Sequence, residues 1–149
     1  MLKPSYIIVH HSLTPDGSSK NWDAIKRYHI ETNGWSDIGY HYGVERVGNN
    51  YAVFLGRSET AQGAHCKDGG MNTKSLGVCL VGNFDSAPPP REQWELALNL
   101  VKVLTEKHNI PRENVLGHRE AQALAGVPPD GRKSCPGNAF DMDTFRNKL

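Results

Sequence analysis

The run Leu76-Gly77-Val78-Cys79-Leu80-Val81-Gly82 constrains this chain more than any other stretch. Read as a strand, it has no polar side chain on either alternating face, so both faces must be covered. That places it centrally in a sheet with a layer packed on each side. The chain supplies such layers. After Pro88-Pro89-Pro90, the residues Trp94, Ala97, Leu98, Val101, Leu104 and Thr105 keep the rhythm of one core-facing stripe. They predict a helix ending near His108-Asn109, ahead of Pro111. A second helix is expected over 21–32, with Trp22, Ile25, His29 and Thr32 on one face and Gly34 as its stop. Arg119 to Leu124 reads as a helical turn, and a last helix from about Asp141 packs Met142 and Phe145.

The remaining strands follow from β-branched and aromatic runs. Tyr6-Ile7-Ile8-Val9 ends in His10-His11, and Val115-Leu116 is a short strand that delivers His118. Tyr40 to Val47 is turned by Gly48-Asn49-Asn50 into Tyr51 to Leu55, residues that tolerate the positive φ of a hairpin. Between these elements lie a turn-rich connection from Ser12 to Lys20 with Pro15 and Gly17, and a Gly-rich loop from Gly56 to Ser75 with His65 and Cys66. The expectation is one α/β domain over 1–149, a mixed central β-sheet flanked by α-helices, with no repeat and no linker.

Composition removes several classes of function. The 149 residues carry 17 basic and 16 acidic side chains, a net charge of +1, which gives no electrostatic case for a nucleic-acid partner. No apolar run approaches the roughly 20 residues of a membrane span. The opening Met-Leu-Lys-Pro-Ser-Tyr lacks the apolar core and cleavage site of a signal peptide. Cys66, Cys79 and Cys135 cannot all pair, and none forms a C-x-x-C, so neither a disulfide framework nor a zinc ribbon is expected. A reducing site of synthesis is the simplest reading.

Candidate chemistry concentrates between Val115 and Gly137. There Gly117-His118-Arg119-Glu120 is followed by a polar, proline-rich loop and then Lys133-Ser134-Cys135-Pro136. Imidazole and thiolate are ligands that zinc prefers, and three protein ligands make an open catalytic site. His10, at another strand end, is a candidate third ligand. These residues lie far apart in the chain, unlike the close pairs of a zinc finger, which suits a site assembled on an already folded sheet. The plain alternatives are a hydrogen-bonded core histidine and, for Cys135, a small buried hydrophobe. Spacing alone leaves both open.

Ile8-Val9-His10-His11-Ser12, Gly39-Tyr40-His41-Tyr42, Gly63-Ala64-His65, the Leu76 to Phe84 run, Gly117-His118-Arg119-Glu120 and Lys133-Ser134-Cys135-Pro136 occur in that order. Together they resemble the zinc-dependent N-acetylmuramoyl-L-alanine amidases of the bacteriophage T7 lysozyme type, kin to the peptidoglycan recognition proteins. The resemblance runs from about Tyr6 to the last helix. It implies that His10, His118 and Cys135 hold one zinc ion per chain, that Tyr40 and Lys133 are catalytic, and that His65 and His41 line the substrate groove. His11 falls on a variable position of the family, and neighbouring strand residues point to opposite faces. The stretch from Glu120 to Arg132 is longer than in the phage prototype and borders the site. Trp35 is open between stacking on sugar and packing on the preceding helix. Trp22 and Trp94 read as core, Cys66 and Cys79 as structural thiols, and His29 and His108 have no assigned role.

The activity so implied is hydrolysis of the peptidoglycan amide between N-acetylmuramic acid and L-alanine. Two imidazoles and a thiolate leave zinc's fourth position to water, whose pKa falls toward about 7. Lys133 and Tyr40 would stabilise the oxyanion. The implied role is that of a phage endolysin, a monomer with no separate wall-binding domain and no insertion into membrane. It would be made in the host cytoplasm and reach the cell wall once another protein breaches the membrane. Two other classes stay open. One is a non-catalytic peptidoglycan-binding or regulatory protein on the same scaffold, which the filled ligand positions disfavour. The other is a cysteine hydrolase with Cys135 as nucleophile and His118 as base.

Overall fold

The structure, a computed structural model, describes residues 1–14 and 21–149. Pro15 and Gly17 of the expected turn lie outside the described residues. Five strands, β1 (Tyr6–His11), β2 (Tyr42–Val47), β3 (Asn50–Leu55), β4 (Ser75–Leu80) and β5 (Val115–Gly117), form one sheet in the order β3-β2-β4-β1-β5. β2 and β3 are the antiparallel hairpin, and the pairings β2–β4, β4–β1 and β1–β5 are parallel. The mixed sheet is the expected one. Its middle strand is the doubly apolar run, and every residue of β4 is buried.

Alternation along β1 and β4 sorts the core into two sides. Ile7 and Val9 with Leu76, Val78 and Leu80 face helix α2 (Arg91–His108), which buries Ala97, Leu98, Val101 and Leu104 there. Helix α4 (Met142–Asn147) adds Met142 and Phe145 to this side. On the other side Ile8 packs with Cys66, Met71 and Ala121 of helix α3 (His118–Leu124), while Cys79 and Val81 pack with Trp22 of helix α1 (Trp22–Arg27) and Ile38. Each large apolar side chain so buried contributes roughly 1.5–3 kcal/mol of transfer free energy. The short α1 runs on into a π-helical turn over Tyr28–Thr32. No helix of the described residues is long and apolar enough to cross a membrane.

Two details differ from the sequence expectation. Thr105 does not join the core stripe; its hydroxyl donates to the Lys102 carbonyl on the helix flank at 2.9 Å. Gln93, on the first turn of α2, is fully buried instead. Its amide donates to the carbonyls of Val44 and Val81 at 2.9 and 3.0 Å, donors that buried strand ends require.

The loop from Gly56 to Lys74 is tied to the end of α2 through Glu59. Its carboxylate accepts from the Tyr42 hydroxyl, from Lys107 Nζ at 3.2 Å and from His108 Nε2 at 2.6 Å. Burial raises the Glu59 pKa, but the hydrogen bonds from Tyr42, His108 and Lys107 outweigh it and bring the group down from 4.5 to about 2. A depressed carboxyl pKa stabilises the fold above the ordinary value, and that contribution disappears as pH falls toward the folded one. Glu59→Gln is therefore expected to be less stable than the wild type at neutral pH. The gap in urea-unfolding free energy should close between pH 4.5 and about 2. A gap independent of pH would contradict this account.

Candidate active site

The parallel register builds the site. Val9 pairs with Gly117, so His10 and His118 follow at neighbouring positions on one edge of the sheet, their rings 4.8 Å apart. Cys135 arrives on the turn after α3, ahead of a cis peptide to Pro136. One donor atom from each of His10, His118 and Cys135 lies within 4.8 Å of the others, and all three residues are buried. Cys135 Sγ is 3.5 Å from His10 Nδ1. Tetrahedral zinc, with bonds of about 2.1 Å to nitrogen and 2.3 Å to sulfur, sets such a pair about 3.6 Å apart. The donor set fits that ion.

Residues around the triad fix its geometry. Arg119 donates its backbone N–H to the Cys135 carbonyl at 2.9 Å. Its guanidinium donates to the carbonyls of Ser134, Gly137 and Phe140, gathering the thiol-bearing turn onto α3. Glu120 accepts from the Gly117 N–H at 2.9 Å and takes both arms of Arg146 at 2.7 and 2.8 Å. The start of α3 is thereby locked to α4. The Gly-His-Arg-Glu motif thus holds a candidate ligand and two residues that fix its surroundings.

His10 is oriented from behind. Its Nε2 lies 2.9 Å from His65 Nδ1, His65 Nε2 faces the Ser75 hydroxyl at 3.5 Å, and that hydroxyl donates to the Met71 carbonyl at 2.7 Å. One proton order satisfies the whole chain: His10 donates to His65, which leaves the His10 Nδ1 lone pair facing Cys135. Burial first, then the neighbouring His65, His118 and Lys133, push the His10 pKa well below 6.5. Burial and His41 bring His65 to about 3. Both rings are therefore neutral, as a ligand and its acceptor must be. Burial likewise raises the Cys135 thiol to about 12.

A cleft of about 540 Å³ opens over these groups. The ligand triad, Tyr40, His65 and Lys133 all border it. The Tyr40 ring is 5.2 Å from that of His10, and burial, then Cys79 and Cys135, raise its hydroxyl well above 10. Lys133 stands exposed on the rim. Trp35 both packs on His29, with rings 4.7 Å apart, and borders the cleft.

His41 is a correction. It is buried and does not border the cleft, because backbone groups take both ring nitrogens. Gly77 N–H donates to its Nδ1 at 3.0 Å, so its Nε2 donates to the Ala61 carbonyl at 2.7 Å. It joins β4 to the 56–74 loop and touches the cleft only through His65, 5.8 Å away. His29, given no role above, does border the cleft and accepts the Gly39 N–H at 3.0 Å. His11 also borders the cleft, but its ring is engaged elsewhere, Nδ1 accepting the Phe84 N–H at 3.1 Å.

Residues 1–138 match the N-acetylmuramoyl-L-alanine amidase family. The chain belongs to that family. Among its relatives, an endolysin of Enterobacteria phage T3 is 43% identical over 142 residues, 95% of this chain and 85% of that protein. Peptidoglycan-recognition protein LB of Drosophila melanogaster is 32% identical over 124 residues, 78% of this chain. The match spans only about half, 51%, of the fly protein's length. The amidase LysC from Clostridium intestinale URNW superimposes with a TM-score of 0.79 at 28% identity, covering 99% of this chain and 86% of that one.

The His65 support depends on a glycine. A Cβ at Gly77 would sit 2.6 Å from the His65 ring carbons. Gly77→Ala should therefore displace His65 and release His10, at a cost on the order of 1–3 kcal/mol from overpacking. Chemical unfolding measures the cost, and weaker zinc uptake in chelator competition reports the freed histidine. Unchanged zinc affinity would separate His65 from the triad.

Proposed function

We propose that this chain is a zinc-dependent N-acetylmuramoyl-L-alanine amidase, a phage endolysin that cuts the amide between N-acetylmuramic acid and L-alanine of peptidoglycan. The observation that carries it is the meeting of the His10, His118 and Cys135 donor atoms beneath one open cleft that Tyr40 and Lys133 also border. Those three residues would hold one zinc ion, which when bound supplies Lewis acidity and an acidified water.

The chain's own groups do the rest. Lys133 Nζ brings a positive charge to the oxygen of the attacked carbonyl. The Tyr40 hydroxyl, kept protonated by burial, donates a hydrogen bond to the same oxygen. Removing one such donor typically costs about 100- to 1000-fold in rate. His65 keeps His10 neutral and aimed, a supporting role in place of substrate contact. Trp35 and His29 offer aromatic surface for the muramyl peptide. The rival reading of Cys135 as nucleophile fits poorly, since a buried thiol raised to about 12 is little ionised at neutral pH. The reading includes a monomer made in the host cytoplasm and acting on the wall after membrane breach.

Elemental analysis of the purified protein, paired with mass spectrometry of digested peptidoglycan, tests the reading. About one zinc per chain is expected, with new L-alanine amino termini that vanish on chelation and return with zinc. Cys135→Ala should lose both zinc and cleavage. Lys133→Ala should keep zinc and lose about 100- to 1000-fold of kcat. Zinc without cleavage would indicate a binding or regulatory protein, and cleavage without zinc would overturn the metal centre.

A further inference from the structure

The amidase reading leaves Gln122 unused, although it is a buried carboxamide one turn along α3 from His118. Its Oε1 accepts the backbone N–H of Lys133 at 2.7 Å, and its Nε2 donates to Asp68 Oδ2 at 3.2 Å. That same carboxylate oxygen lies 3.6 Å from His118 Nε2. A candidate metal ligand and a candidate catalytic cation therefore meet through one amide and one carboxylate. Asp68 opens the 3-10 turn Asp68–Thr73, Gln122 belongs to α3, and Lys133 lies in the loop before Cys135.

We propose that Asp68 and Gln122 are positioning residues that form a clamp between the zinc ligand His118 and Lys133. The proposal rests on the amidase reading above. Asp68 draws the His118 proton to Nε2 and leaves the Nδ1 lone pair for the metal, the usual task of a carboxylate behind a ligating imidazole. At 3.6 Å the contact is longer than a hydrogen bond, and such contacts commonly tighten once a site is filled. Gln122 holds Asp68 in place with its donor end and holds the Lys133 backbone with its acceptor end. A carboxamide presents both on one rigid plane. A carboxylate at 122 would turn an acceptor on Asp68, and an apolar side chain would leave the Lys133 N–H and Asp68 without it.

The competing use of this corner is a second cation, because Cys66, Asp68 and His118 also bring donors within 4.8 Å of one another. The Gln122 N–H directed at the same Asp68 oxygen favours the clamp.

The test uses the zinc-loaded enzyme, three single variants, Asp68→Asn, Gln122→Leu, and Gln122→Glu, which preserves side-chain size, and one double variant. Competition with a chromophoric chelator should show zinc affinity lower by about 10- to 100-fold in Asp68→Asn. Both Gln122 variants should lose affinity, and Gln122→Leu should, at saturating zinc, also lose kcat with KM unchanged, because Lys133 is no longer held; Gln122→Glu retains an acceptor for the Lys133 N–H and should keep kcat. Asp68→Asn combined with Gln122→Leu should weaken zinc by less than the product of the single losses, as residues of one unit do. Wild-type zinc affinity in all three variants, or a fully multiplicative double variant, would overturn the clamp alone. Two zinc ions per wild-type chain, one lost in Asp68→Asn, would overturn it in favour of a second metal site. A wild-type chain that takes up no zinc would overturn the amidase centre, and the clamp with it.

Discussion

The parallel pairing of β1 with its two neighbours is the constraint on which the site depends. Parallel strands end on the same side, so β1 and β5 release His10 and His118 together, while β4 sets Cys79 beside His10 from the other flank. An antiparallel β5 would have sent His118 to the opposite end of the sheet. Alternation does the second half of the work. His10 shares the face of Ile8 and turns toward α3, whereas His11 turns toward Phe84 and the α2 side. The sheet fixes the two imidazoles to within one strand spacing before any loop is in place.

Desolvation then sets the chemistry. The rings of His65 and His118 each lie about 5 Å from that of His10, and with Lys133 nearby they make a region where an added proton on His10 is strongly disfavoured. In an exposed setting such a cluster would share protons as pH changes. Here burial keeps His10 and His65 neutral, and a single direction of hydrogen bonding fixes which nitrogen carries the proton. Neutral imidazoles offer free lone pairs beside a thiol that burial holds protonated, so a cation bound there would displace the thiol proton. Small residues permit this density, since the His65 ring occupies the space a side chain at 77 would take.

Much of this was legible in the sequence, for reasons that can be named. β-branched runs ending in histidine marked the strands and the positions of His10 and His118, and the apolar run at 76–82 marked the centre of the sheet. The pairing of imidazole with a thiol marked Cys135 as a candidate ligand, and the ordered motifs added Tyr40 and Lys133. The misses share a cause: their partners are backbone atoms far away in the chain. His41 bonds to groups 20 and 36 residues distant, and Gln93 caps carbonyls 12 and 49 residues away. Side-chain periodicity carries no record of such contacts. His29 was read as part of a helical face, but the π-helical turn over Tyr28–Thr32 breaks the 3.6-residue phase on which that face was counted.

The fork between Glu120 and Arg146 has a consequence at a distance. Arg146 also donates to the Val115 carbonyl, so α4 grips both β5 and the first turn of α3, the two elements that flank His118. Events at the far end of the chain, such as proteolytic trimming of the last helix, would then be felt as a looser histidine in the cleft rather than as local fraying.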